Sequence, residues 1–332
     1  MRVSQKIPAI MQVDFLKQAI ANDMLVVDRV LRDNLDSDVA LIRNVAEHII
    51  NSGGKRLRPV LLLLAARAGG YAGTQHYTLA AIIEMIHTST LLHDDVVDDS
   101  SQRRGKPTAN EIFGNAAPVL VGDFLYSRAF QLMVSVNSMR VLRILANATN
   151  VIAAGEVMQL MNAGDTTLTE DAYIEIIRHK TAKLFEASTQ LGALLANVSP
   201  EREDAYVRFG MHLGTAFQIM DDLLDYTGDG DAIGKNLGDD LAEGKMTLPL
   251  IHALAHADDA DRAIIRRAIE SGELADFSRL IEILTRAEAL TYTQSRARVE
   301  AAHAEACLAS EPDSSSRQAL LQLCAFAVER SF

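Results

Sequence analysis

The chain has 332 residues, 48% of them hydrophobic, and a formal net charge of −12. That charge excludes a nucleic-acid partner, because a phosphate backbone requires a net basic face. The two cysteines, Cys307 and Cys324, show neither zinc spacing nor a disulfide framework, so a reducing, cytoplasmic compartment fits.

Only 7 prolines and 19 glycines interrupt the chain, and strong helix formers dominate it. Residues 1–14 carry no long apolar core and no small-residue cleavage site. Helical periodicity starts near Pro8. It breaks at 51–54, 69–74, 100–107, 163–169, Ser199-Pro200, 228–243 and 311–315. Thr169 and Ser199 read as helix N-caps, the second with Pro200 at the first helical position. The most apolar run, 60–66, falls far short of the roughly 20 residues that span a bilayer. No linker, solenoid repeat or strand alternation divides the chain. The spacing predicts an all-α, single-domain bundle of ten or more helices over residues 1–332.

One pattern occurs twice. Asp94-Asp95-Val96-Val97-Asp98 returns in type as Asp221-Asp222-Leu223-Leu224-Asp225, each at the C-terminal end of an apolar helix. Residues four apart on a helix share a face, about 5–6 Å between Cβ atoms. Asp94 and Asp98 therefore repel, as do Asp221 and Asp225, and a hard divalent cation with oxygen ligands would relieve both pairs. One such motif is equally a solvated acidic helix end. Two, each followed by Gly-rich basic segments, point to metal.

Basic residues supply the counterpart. Lys55 and Arg58 sit near the start of the helix opened by Gly53-Gly54, where exposed N–H groups already favour an anion. Arg103 and Arg104 follow the first aspartate motif and suit bidentate phosphate contacts, or a plain salt-bridged loop. Lys180, Lys235 and Lys245 add charge further on, each alone an ordinary surface lysine. Residues 230–235 lack the spacing of a phosphate loop. Glu84 with His87, and Glu300 with His303, fit the Glu-x-x-His pattern of di-iron bundles. That reading leaves both aspartate motifs and the basic segments unexplained.

These segments resemble the trans-isoprenyl diphosphate synthases over nearly the whole chain. The matching stretches are GGKRLRP (53–59), IHTSTLLHDDVVDDSSQRRGKPTAN (86–110), GDFLYSRAF (122–130), KTAKLFEAS (180–188), GTAFQIMDDLLDY (214–226) and GKNLGDDLAEGKMTLPLI (234–251). IAAGEVMQLMN (152–162) is similar to the bacterial subgroup that makes the octaprenyl side chain of ubiquinone or menaquinone.

The resemblance implies a bundle around a deep central cavity, in a homodimer. It implies isopentenyl diphosphate and an allylic diphosphate, farnesyl diphosphate above all, as substrates. Three magnesium ions per site are implied to bridge the allylic diphosphate. Asp94, Asp98 and Asp221 would bind them, with Asp95, Asp222 and Asp225 in the same shells. Lys55, Arg58, His87 and Arg104 would hold isopentenyl diphosphate. Arg103, Lys180, Thr181, Gln218, Lys235 and Lys245 would meet the allylic diphosphate or its metals, with Phe217 near the reacting carbons. Lys180 and Phe217 join the aspartates as the residues expected to carry the reaction. Short-chain relatives often place a bulky aromatic where this chain has the small Ser89. Ser89, with Met85 and Ile86 deeper on the helix, is thus the expected chain-length floor, and it implies a long product: octaprenyl, with a nonaprenyl or decaprenyl product, or a shorter-chain synthase, as alternatives. A product so hydrophobic allows transient contact with a membrane surface.

Overall fold

The structure, a computed structural model, describes residues 9–51, 54–103, 105–228, 237–272 and 277–329. The first half of the chain forms α1 (Ala9–Leu35), α2 (Ala40–Asn51), α3 (Leu57–Ala68), α4 (Gln75–Val97), α5 (Ala109–Phe113), α6 (Ala116–Ser135) and α7 (Met139–Met161). A two-residue antiparallel pairing, Gln102 with Pro107 and Arg103 with Lys106, closes the loop after α4. Then come α8 (Glu170–Ile177), a π-helical turn (Arg178–Ala182), α9 (Lys183–Leu195) and the long α10 (Pro200–Thr227). The last part holds α11 (Asp239–Ala242), α12 (Leu248–His256), α13 (Asp259–Ser271), α14 (Phe277–Arg286), α15 (Ala289–Cys307) and α16 (Ser315–Glu329).

Helices α3 and α4 have no polar stripe along their middle turns. Residues 59–66 of α3 and 79–86 of α4 are buried without a break, as expected for helices surrounded on all sides. Helices α13 and α14 alternate apolar and charged turns and lie on the outside. Helix α10 runs between α9 on one side and α15 on the other. Glycine lets it approach closely: a Cβ on Gly214 would lie 2.6 Å from Ala182 Cα, a distance no side chain tolerates.

Thr169 and Ser199 cap α8 and α10 through their side chains, as their sequence predicts, and Pro200 takes the first turn. The break between α6 and α7 does not stand out by composition, although Asn137 adopts a left-handed φ of 54° and Ser138 caps α7. Glu288, also left-handed at φ 56°, divides α14 from α15 with no glycine to announce it. The π turn was not readable at all.

The start of α10 is clamped to the turn before α16. Glu311 is buried, and its carboxylate accepts hydrogen bonds from Arg202 at 2.7 Å on each oxygen and from the Tyr206 hydroxyl at 3.0 Å. Glu311→Ala strands both partners. It should cost about 3 kcal/mol, the lower end for breaking a buried pair because Arg202 stays partly solvated. A urea titration reads this directly, and an unchanged midpoint would dismiss the clamp.

Candidate active site

Both aspartate motifs lie at helix C-termini, as the sequence predicts. The Asp98 N–H donates to the Asp94 carbonyl at 2.8 Å, placing both on the last turn of α4, and Asp99 then turns left-handed at φ 50°. Asp221, Asp222 and Asp225 occupy the last two turns of α10. A helix C-terminus already carries partial negative charge, so each motif adds acid to an unfavourable end.

The segment after α10 joins the two ends. Lys245 Nζ lies 2.8 Å from Asp98 Oδ2 and also pairs with Glu243. The Asp240 N–H donates to Asp225 Oδ2 at 3.3 Å, and the Gly238 N–H donates to the Asp225 carbonyl at 3.0 Å. Burial alone would lower the Lys245 pKa. Asp240, Glu243 and Asp98 overcome it and hold the ammonium charged.

Across from α4, the π turn carries Lys180. Its Nζ lies 2.5 Å from Glu156 Oε2 on α7. Close approach needs Gly155, whose Cβ would meet the Lys180 backbone nitrogen at 2.6 Å; π turns recur where a site needs such re-aiming. Burial raises the Asp94 pKa, Lys180 counters it, and Asp98 pushes it up further. Burial and then Asp94 push the Glu156 carboxyl up to about 7. Glu156 had no role in the sequence reading. Its signal was there: it is the lone charge in residues 151–161. Buried carboxylates that resist ionisation fit a hard divalent cation with oxygen ligands.

Asp95 and Asp222 each engage protein partners. Asp95 is buried, and the Arg103 guanidinium holds its Oδ1 at 2.7 Å through Nε and through a terminal nitrogen. Arg103 is thus committed to Asp95 here. Asp222 accepts from Gln218 Nε2 at 2.7 Å on one oxygen and from the Tyr173 hydroxyl at 2.6 Å on the other. Burial, then Asp240, push it up to about 7, while Tyr173 and Gln218 oppose the rise. Thr181 donates to Gln218 Oε1 at 2.9 Å, so Asp222 orients Gln218 and Thr181 rather than facing the cluster alone.

A second basic group gathers at the start of α3. Arg58 reaches His87 Nε2 at 3.1 Å and lies over the Phe185 ring at 4.7 Å. Phe185 packs against Phe217, centroids 5.5 Å apart. Phe217 stands one turn before Asp221 on α10, so this chain of contacts links Arg58 to the aspartate end. Lys55 lies over Phe326 at 5.4 Å. Arg56, left-handed at φ 49°, pairs with buried Glu84. The two Glu-x-x-His pairs therefore have separate partners: Glu84 with Arg56 and Glu300 with His212. Arg104 and Lys235 lie outside the described residues.

The expected floor residues divide. Met85 lines a narrow apolar cavity of about 10 Å³, with Thr88, Leu31, Leu35 and Leu125. Ser89 and Ile86 do not line it. Ser89 is fully buried, and its hydroxyl donates to the Gly122 carbonyl on α6 at 2.8 Å.

The polyprenyl synthetase family model matches residues 39–284. The chain is 50% identical to the octaprenyl diphosphate synthase of Escherichia coli K12 over 321 residues, 96% of this chain and 99% of that one. It is 45% identical to the geranyl-diphosphate-specific all-trans-nonaprenyl-diphosphate synthase of Rhodobacter capsulatus, over 96% and 99%. A crystal structure of polyprenyl synthase from Caulobacter crescentus, complexed with calcium and isoprenyl diphosphate, superposes with a TM-score of 0.93 at 48% identity, over 96% and 98% of the two chains. The fold is that of the all-α isoprenoid synthases. The chain belongs to the polyprenyl synthetase family and is a prenyltransferase.

Proposed function

We propose that this prenyltransferase condenses isopentenyl diphosphate onto an allylic diphosphate, farnesyl diphosphate first, up to a discrete octaprenyl diphosphate. Such a product supplies the side chain of ubiquinone or menaquinone. The observation that carries the reading is that Lys245 pairs with Asp98 of the first aspartate end while its own segment bonds Asp225 of the second, with Lys180 nearby on Glu156 and a separate Arg58–His87 group. One diphosphate fits each.

Asp94, Asp98 and Asp221 would hold magnesium, three ions in this reading, with Asp95, Asp222 and Asp225 in the same shells. When bound, magnesium supplies positive charge for the departing diphosphate. Lys180, Lys245, Lys235 and Thr181 with Gln218 anchor that diphosphate. Lys55, Arg58, His87 and Arg104 hold isopentenyl diphosphate so that its double bond faces the allylic carbon. The C–O bond of the allylic diphosphate breaks as the new C–C bond forms. A proton then leaves the condensed unit to the released diphosphate and restores an alkene. Phe217 keeps water from the cationic carbon. The lysines and arginines act by electrostatic preorganisation, and pairing with Glu156, and with Asp98 and Glu243, keeps Lys180 and Lys245 placed.

Similarity to a nonaprenyl synthase favours one alternative, a nine- or ten-unit product. Exposed apolar residues on α6 and α7, among them Leu120, Val134, Leu160 and Met161, support a homodimer through that face. Helix α7 is long and apolar enough to cross a membrane by composition, with a third of its most apolar stretch buried, and a protein partner also satisfies it. A cytoplasmic enzyme fits the two free thiols, half-buried Cys307 and buried Cys324. Mass analysis of products from purified protein, farnesyl diphosphate, labelled isopentenyl diphosphate and magnesium tests the reading. One eight-unit diphosphate, lost on chelation, is expected. A cyclic hydrocarbon, or no transfer at all, would overturn it.

A further inference from the structure

Glu300 and His303 stand one turn apart on α15, opposite His212 on α10. His212 Nδ1 lies 2.6 Å from Glu300 Oε2. The two imidazoles meet edge-on, centroids 5.2 Å apart at 66°. One donor atom from each of the three residues lies within 4.8 Å of the others. We propose that His212, Glu300 and His303 form a site for a zinc-class divalent cation, separate from the aspartate centre.

The donor set argues for this chemistry. Two imidazoles and one carboxylate suit zinc and its transition-metal neighbours, whereas magnesium prefers oxygen ligands alone. Metal–ligand distances of about 2.0–2.2 Å place tetrahedral donors roughly 3.4 Å apart. Donors already within 4.8 Å reach that spacing by small side-chain rotations. His212 lies nine residues before Asp221, or about 13–14 Å along the helix, so the two centres do not share ligands.

Ion pairing alone accounts for only part of the cluster. Glu300 is buried, and its Oε1 faces Arg178 at 3.5 Å and Arg296 at 3.9 Å. Burial opposes its ionisation, but the His212 contact and the two guanidinium groups hold its carboxyl below the usual range. That explains His212 and leaves His303 without a reason. His303 is exposed and makes no hydrogen bond or ion pair among the described residues, yet its ring stays against His212. Its nitrogens are open to an ion entering from solvent. The two arginines temper the affinity, and a bound ion would take the place of the proton that His212 Nδ1 and Glu300 Oε2 now share.

A bound cation ties α10, which carries Phe217 and Asp221, to α15. Cobalt(II) is the probe, added in stoichiometric amount to protein held in excess magnesium. One equivalent should bind with the visible absorption of a low-coordinate, imidazole-containing site, and zinc should raise Tm. His303→Ala should weaken cobalt binding about tenfold or more and abolish the zinc-induced Tm rise. Its basal prenyl transfer and metal-free Tm should match the parent protein. His303→Gln, which keeps the side-chain bulk, should behave the same. A cobalt spectrum unchanged in both variants, or no absorption in the parent protein, overturns the site.

Discussion

Asp94→Asn should cut prenyl transfer by on the order of 10³-fold, the scale for losing one preorganised electrostatic group, while the metal-free protein becomes more heat-stable. Asp94 is a buried carboxylate at a helix C-terminus, one turn from Asp98 and close to Glu156. Every one of those terms costs folding energy without metal. Asparagine keeps the shape and removes the charge, so Tm without magnesium should rise by about 1–2 °C for each kcal/mol relieved. The parent protein should gain more Tm from magnesium and a diphosphate than the variant does. The same environment fixes a pH dependence. Glu156 and Asp222 are raised to about 7 from ordinary carboxylate values. Between those values the folded state holds more protons than the unfolded one, so metal-free stability falls as pH rises from about 4 towards 7. Calorimetry at several pH values, with and without magnesium, reads both effects. An Asp94→Asn protein that keeps its activity, or that melts lower without metal, would remove Asp94 from the metal-binding centre.

Much of this was legible because the chemistry is written locally. Asp94 to Asp98 and Asp221 to Asp225 share helix faces by spacing alone, and Thr169, Ser199 and Pro200 mark helix starts by their own preferences. What joins distant segments was not legible. Lys245 meets Asp98 across 147 positions, and spacing says nothing about such a contact. Arg103 suits either a phosphate or a salt-bridged loop by its sequence, and it grips Asp95. A guanidinium serves both anions by the same fork, so composition cannot choose between them. Glu156 was passed over because a single acid in an apolar helix has no partner until the π turn brings Lys180 against it. The same holds for Glu300 and His303. Their spacing suggested metal, but the third donor, His212, comes from another helix.

Ser89→Phe should replace the long product with a discrete shorter one. Helix α4 runs nineteen residues from Gln75 to Asp94, about 28 Å, room for a long tail to descend beside it on the proposed reading. Ser89 lies a little over one turn below Asp94, 1% exposed, with its hydroxyl on the Gly122 carbonyl. Gly122 itself has no room to spare: a Cβ there would lie 2.3 Å from His93 Nε2. A benzyl group at position 89 therefore cannot stay in the α4–α6 contact, and on the proposed floor assignment it turns towards the growing tail. The overpacking should also cost about 1–3 kcal/mol. Ser89→Ala separates the two effects, because it loses only the hydroxyl bond, about 1 kcal/mol, and should leave chain length alone. Mass spectrometry of the products beside a thermal melt gives both readouts. If Ser89→Phe melts lower and still makes the full-length product, its ring has been absorbed between the helices. Position 89 then takes no part in setting the chain length.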